Sequence, residues 1–183
     1  MSELTLDETV KTPELKKANS MEVALYDKFY THPEVAKMCV EEFRKYIIIE
    51  IGDLVIEPSA GNGSFSDCFE KTYEEDTIDE GWPYEGENTI MAFDIAPEKE
   101  GIIKKDFFSV DLSKATADMH FIGNPPFGSN SEIAISFITK ILNAEKSKSI
   151  SFILPANFNS EKMQTRVFYK KFKKWKLLFM KLN

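Results

Sequence analysis

The sequence predicts an α/β domain with a mostly parallel central sheet and helices on both faces. The first observation is a series of short apolar runs that end in a polar residue, as buried parallel strands do. The second is that stretches with the apolar spacing of a helix stand between these runs. Parallel neighbours need a crossover, usually a helix, so this alternation favours a doubly wound sheet.

The strands and helices are predicted to alternate along the chain. The predicted strands are 54–56, 90–94, 102–103, 119–122 and 150–155. The predicted helices are 33–47, 64–73 and 133–142, with Thr31 as the N-cap before Pro33. We expect a basic helix over 163–174 and the start of a sixth strand at 175–182, which leaves the sheet incomplete at its C-terminal side.

Composition limits the class of protein. The chain has 183 residues, which suffice for one domain with a substantial core, and its 15 Phe exclude a disordered chain. Cys39 and Cys68 lack metal-ligand spacing, so we expect core thiols, no metal site and an intracellular, cytoplasmic protein. No apolar stretch approaches the roughly 20 residues of a membrane span, so no membrane contact is expected.

The distribution of charge divides the chain into segments. Residues 1–19 are predicted to form a flexible arm, and 20–183 the folded domain, without a separate domain for target recognition. An acidic stretch over 70–89 is predicted to be an exposed insertion loop. Residues 161–183 carry a net charge of +7 in a chain of net charge −7. This basic segment favours either contact with a polyanion or a solvated helix face.

A glycine-rich turn follows the first strand and is the strongest local signal. Its sequence is Glu57-Pro58-Ser59-Ala60-Gly61-Asn62-Gly63. Glycine lets a ligand approach the main chain closely, so the turn could hold a dinucleotide, a phosphate or S-adenosylmethionine, or be a purely structural turn. The carboxylate of Glu57 disfavours phosphate and favours a ligand with a positive ammonium and sulfonium. No nucleoside-triphosphate motif of the P-loop type occurs.

Three segments in order resemble a known family. Residues 57–65, EPSAGNGSF, resemble motif I of the class I S-adenosylmethionine-dependent methyltransferases. Residues 124–127, NPPF, are similar to the N-P-P-[YF] motif of the N6-adenine methyltransferases, and 29–36, FYTHPEVA, resemble motif X of the gamma-order DNA enzymes. The resemblance covers 28–159 and implies a Rossmann-like class I methyltransferase fold with S-adenosylmethionine as cofactor.

The resemblance also implies which residues bind the cofactor. Tyr30 and Thr31 would lie beside its methionine carboxylate, Asp106 would accept from its adenine amino group, and Phe107 would cover the ring. Asp94 ends the second strand, where an acid binds ribose hydroxyls in doubly wound sheets. The complete set of expected cofactor residues is Tyr30, Thr31, Glu57, Ser59, Gly61, Gly63, Asp94, Asp106 and Phe107.

The expected catalytic residues are Asn124, Pro125, Pro126 and Phe127. The lone pair of the adenine N6 amine is delocalised into the ring, so the amine is a poor nucleophile. Acceptors on its N–H bonds, from the Asn124 side chain and the Pro125 carbonyl, would favour a pyramidal nitrogen. Phe127 would stack on the target ring, which must leave a duplex to reach the site.

The chain departs from the resembled family at its C-terminal end. Full members have seven strands, and gamma-order DNA enzymes carry a separate target-recognition domain. A second subunit that supplies recognition is therefore one expected partner, besides nucleic acid, with DNA favoured over RNA, near the basic segment. The alternatives are methylation of a protein glutamine amide, which presents a similar planar NH2, and a catalytically silent subunit that keeps the fold.

Overall fold

The computed structural model describes residues 30–69, 71–72 and 89–160. The predicted arm at 1–19, most of the acidic loop at 70–89 and the basic segment at 161–183 lie outside the described residues. The predicted basic helix and sixth strand lie there as well.

Six parallel strands form one sheet in the described part of the chain. They are β1 (Leu54–Glu57), β2 (Lys71–Thr72), β3 (Thr89–Asp94), β4 (Ile102–Lys104), β5 (Met119–Gly123) and β6 (Ser147–Phe152). The order is β2-β3-β1-β5-β6, and β4 also pairs with β3. Every strand pair is parallel, so the predicted α/β class with a parallel sheet is confirmed.

Strand β1 lies at the centre of the sheet, between β3 and β5, and its residues are buried. Ile56 pairs with Met91 of β3 on one side and with Phe121 of β5 on the other. This register brings the carboxyl ends of β1, β3 and β5 to one edge of the sheet. Strand β1, ahead of the glycine turn, and strand β5, ahead of Asn124, are therefore parallel neighbours.

In the part of the chain that the structure describes, one helix packs on each face of the sheet, so the expectation of helices on both faces is confirmed. Helix α1 (Pro33–Tyr46) packs against one face, and helix α2 (Glu132–Asn143) packs against the other. The α1 side buries Ala36, Val40, Phe43, Val55, Ile90 and Ile122. The α2 side buries Leu54, Ile56, Met91, Phe93, Met119, Phe121, Phe137 and Ile141. None of the helices described here is long and apolar enough to cross a lipid bilayer.

The predicted helix over 64–73 is wrong. Only a 3-10 turn forms, at Ser66–Cys68, and it ends at Phe69, which has extended backbone angles. Serine hydroxyls compete with helical hydrogen bonding here, since Ser66 Oγ donates to the Gly63 carbonyl at 3.0 Å. Lys71–Thr72 then form β2, within the stretch predicted to be a loop.

A buried polar network holds the sheet together at the end away from the glycine turn. His120 of β5 is 5 % exposed. Its Nδ1 lies 2.9 Å from Ser149 Oγ of β6, and its Nε2 lies 3.1 Å from Asp53 Oδ2, in the turn before β1. Because buried polar atoms need partners, this network satisfies three side chains and ties two strands to that turn.

Candidate functional site

A cleft opens at the carboxyl ends of β1, β3 and β5. Its empty volume is about 950 Å³, including the part open to solvent. In doubly wound sheets ligands bind at this edge of the strands. Twelve of the predicted site residues line it: Tyr30, Thr31, Glu57, Ser59, Gly61, Asp94, Asp106, Phe107, Asn124, Pro125, Pro126 and Phe127.

The glycine turn forms the floor of the cleft beside β1. Gly61 has a φ of +56°, and a Cβ there would lie 3.2 Å from Cε1 of the Tyr30 ring. Gly63, with a φ of +83°, does not line the cleft. A Cβ added there would lie 3.0 Å from both Lys99 Cδ and Ser66 Oγ. Glycine at 61 thus admits an aromatic ring, whereas glycine at 63 shapes the turn.

Glu57 is a buried carboxyl group at the end of β1. It is 1 % exposed, and its Oε2 has no hydrogen-bond partner among the described residues. Burial, with the charge of Asp94 as a second cause, raises the pKa of Glu57 to about 8. Gly123 leaves room for this side chain, since a Cβ there would lie 3.3 Å from Glu57 Cγ. A positive ligand group beside Glu57 would favour the ionised carboxylate.

Asp94 connects the ends of β3 and β1. Its Oδ2 accepts from the Gly61 amide at 2.8 Å, and its Oδ1 accepts from the Ala96 amide at 2.8 Å. A carboxylate has about four acceptor sites, so these two bonds leave capacity for the predicted ribose hydroxyls. Asp94 therefore has a structural role in the turn that the sequence did not reveal.

Asp106 and Phe107 line the wall that follows β4. Asp106 Oδ1 accepts from the Phe108 amide at 2.9 Å and caps the 3-10 turn Phe107–Ser109. Phe107 is only 2 % exposed, and its ring stacks on Phe137 at 5.6 Å between centroids. Phe107 is therefore mainly a core residue, and the half-buried Phe108 offers more surface to the cleft.

Thr31 joins the glycine turn to the Asn124 tetrad. Its carbonyl accepts from Ser64 Oγ at 2.7 Å, and its Oγ1 accepts from Asn124 Nδ2 at 3.2 Å. The prediction that Thr31 caps α1 is wrong, because the cap is His32, whose Nδ1 accepts from the Glu34 amide at 3.3 Å. Tyr30, beside it, donates from its hydroxyl to the Glu98 carboxylate.

The tetrad Asn124–Phe127 directly follows β5 and forms the wall opposite Asp106. With Nδ2 bound to Thr31, the Asn124 Oδ1 atom is the acceptor of this amide. Pro125 is buried, whereas Phe127 is half-buried and packs beside the α2 core. Gly128 follows at a φ of +66°, which turns the chain into α2.

Sequence reasoning missed several lining residues. These are Pro58, Ala60, Asn62, Ser64, Phe65, Ile95, Phe108, Ile133 and Phe137. Ile95 and Phe108 stand next to predicted residues, so adjacency could have indicated them. Ile133 and Phe137 come from α2, and only the direction in which that helix packs brings them to the cleft.

The polar lining has one sign of charge. It contains three carboxyl groups, of Glu57, Asp94 and Asp106, and no Lys or Arg among the described residues. Phosphate groups are usually bound by basic side chains or by helix N-termini without nearby acids. The cleft therefore suits a ligand that is cationic, with hydroxyl and amino donors, better than one that carries phosphates.

Comparisons of the chain with protein-family models, curated proteins and solved structures found no match.

Proposed function

We propose that this chain is a class I, Rossmann-like methyltransferase that transfers a methyl group from S-adenosylmethionine to the exocyclic N6 amine of adenine in nucleic acid. One observation carries the proposal. A single cleft brings together the Asn124 tetrad and three carboxyl groups, and its described lining contains no basic side chain. The motif X resemblance at 29–36 favours DNA over RNA as substrate.

The residues of the cleft fit the cofactor. Its ammonium and sulfonium groups are positive, and the buried Oε2 of Glu57 has no partner among the described residues. Asp94 and Asp106 supply acceptors for hydroxyl and amino groups at the next two strands. Tyr30 and Thr31 border the glycine turn. When bound, S-adenosylmethionine would supply an electrophilic methyl group on a positively charged sulfur.

The protein residues prepare the amine that receives the methyl group. Thr31 holds the Asn124 amide by its nitrogen, so that Oδ1 accepts a hydrogen bond from the N6 amine. The Pro125 carbonyl accepts the second N–H, and the missing N–H of proline removes a competing donor. Phe127 stacks on the target ring. On transfer, the amine would gain the methyl carbon and lose one N–H proton to solvent, and sulfur would keep the electron pair of the broken S–C bond.

The test uses methyl-labelled cofactor with DNA, RNA and protein acceptors offered in parallel, followed by nucleoside and amino-acid analysis. Label in N6-methyladenine supports the proposal. Label found only in protein glutamine would show that the substrate is a side-chain amide and would overturn the adenine proposal. A folded chain that neither binds S-adenosylmethionine nor transfers label would be a catalytically silent subunit. We further propose that nucleic acid contacts the basic segment 161–183, and that a second subunit supplies sequence recognition.

A variant of the tetrad tests the catalytic assignment. We expect Asn124→Ala to lower the transfer rate by about 10²-fold or more, because it removes an acceptor aimed at the reacting amine. Cofactor affinity, measured by calorimetry, should stay near the wild-type value. Asn143→Ala, at the exposed end of α2, is the matched control. If cofactor affinity and transfer rate fell equally, Asn124 would be assigned to cofactor binding and not to catalysis.

A further inference from the structure

Lys140 of α2 reaches across to the chain segment that carries Asp106. Its Nζ donates to the Phe108 carbonyl at 3.1 Å and to the Val110 carbonyl at 2.6 Å. The same atom lies 5.4 Å from the centroid of the Phe107 ring. Carbonyl groups at the end of a helical turn attract cations, so Lys140 stabilises the 106–110 segment at that point.

Phe137 holds the same segment from the preceding turn of α2. Its ring stacks on Phe107 with an interplanar angle of 2°, and it contacts the Phe108 ring edge-on at 4.7 Å. Apolar ring contacts limit the distance between the segments but are less directional than hydrogen bonds. The two bonds of Lys140 are therefore a directional link between α2 and the 106–110 segment.

This link connects the two walls of the cleft. Helix α2 begins at Glu132, shortly after the tetrad, whereas Asp106 and Phe108 belong to the opposite wall. We propose that Lys140 is a positioning residue for the proposed methyl transfer. It fixes the 106–110 segment to α2, and thereby sets Asp106 and Phe108 relative to the tetrad. The proposal rests on the proposed function, since it assigns Asp106 to the cofactor.

The chemistry of the ammonium group explains the choice of residue. Burial lowers the pKa of Lys140, while the carboxylates of Asp106 and Asp111 act in the opposite direction. An ammonium has three donors and no acceptor, which suits two carbonyls and a nearby ring face. Methionine would keep the apolar stem without the donors, whereas arginine would keep both charge and donors.

The experiment compares Lys140→Met with Lys140→Arg in the full chain. Lys148→Met is the matched control, because Lys148 in β6 pairs with Asp118 at 3.0 Å and is absent from the cleft lining. The first readout is amide hydrogen exchange of Phe108 and Val110 without ligand, followed by mass spectrometry. The second readout is the Kd of S-adenosylmethionine by calorimetry, together with the KM for cofactor and kcat.

For Lys140→Met we expect faster exchange in the 106–110 segment and a rise of about tenfold in Kd and KM for the cofactor, with a smaller change in kcat. Lys140→Arg should restore most of the affinity, and Lys148→Met should leave it unchanged. If Lys140→Met kept the wild-type affinity for S-adenosylmethionine, or the wild-type amide exchange in the 106–110 segment, the positioning role of Lys140 would be overturned and the proposed function would stand. A wild-type chain that binds no S-adenosylmethionine would instead overturn the proposed function.

Discussion

Replacement of Glu57 by glutamine tests the electrostatics of the cleft without any assumption about catalysis. Glu57 is fully buried at the end of β1, and burial together with the charge of Asp94 raises its pKa from 4.5 to about 8. Glutamine has nearly the same shape but does not titrate. The difference in stability between the two proteins should therefore depend on pH, and only through this carboxyl group.

The sign and size follow from the two pKa values. Below pH 4.5 Glu57 is protonated in both the folded and the unfolded chain, so its favourable contribution is complete. As the pH rises towards 8, the unfolded chain releases the proton first, and the folded state loses stability relative to it. The loss is roughly 3 kcal/mol between pH 4.5 and pH 7, which is a large part of the 5–15 kcal/mol typical of a domain.

The measurement is urea unfolding followed by far-UV circular dichroism at several pH values between 4.5 and 8. In Glu57→Gln the buried amide should lower the free energy of unfolding by about 1–3 kcal/mol at every pH. The raised pKa is therefore tested by how the stability difference between wild type and variant changes with pH. Relative to this variant, the wild type should lose its roughly 3 kcal/mol as the pH rises to 7. Glu100→Gln, at an exposed acid, is the control. Parallel curves for wild type and Glu57→Gln would refute the raised pKa.

Two further substitutions test the packing around the cleft and the buried network. Gly128→Ala should lower the free energy of unfolding by about 2–4 kcal/mol, because its φ is +66° and the new Cβ would lie 2.5 Å from Ile133 Cγ1. Adding Ile133→Ala should remove the clash with the new Cβ, and so recover the steric part of this loss in unfolding free energy but not the part due to the positive φ. A Gly128→Ala protein with the wild-type melting temperature would contradict the strained turn. His120→Phe should cost about 2–3 kcal/mol, since it removes a buried partner of Ser149 and one of the two partners of Asp53 Oδ2, which keeps the Glu50 amide, yet cofactor affinity should not change. Chemical denaturation measures this cost, with Ser149→Ala as the milder control at about 1 kcal/mol, and an altered affinity would show that the network reaches the cleft.

The location of the cleft could be predicted from the sequence, because the cleft forms where the parallel strands end and these ends are recognisable in the sequence. Apolar runs that end at Glu57, Asp94 and Asn124 predict buried parallel strands, and the carboxyl ends of such strands meet at one edge. The structure places these three residues in one cleft.

Details that depend on tertiary packing could not be predicted. Phe65 and Phe69 have the spacing of a helix, but the same two rings are buried by a 3-10 turn, so periodicity alone does not distinguish the two. Phe107 and Phe108 are adjacent and identical in type. Tertiary packing decides which ring enters the core, because Phe107 packs against Phe93, Phe121 and Phe137.

The bridge through Thr31 determines where a functional domain must begin. Its main-chain oxygen and its hydroxyl bind Ser64 and Asn124, respectively, although it precedes the first helix. A truncated chain that starts at His32 would keep the residues and the cap of every described helix and strand, and would still lose the threonine that binds the Asn124 amide. Domain limits drawn from secondary structure alone would thus omit a residue that binds two side chains of the cleft.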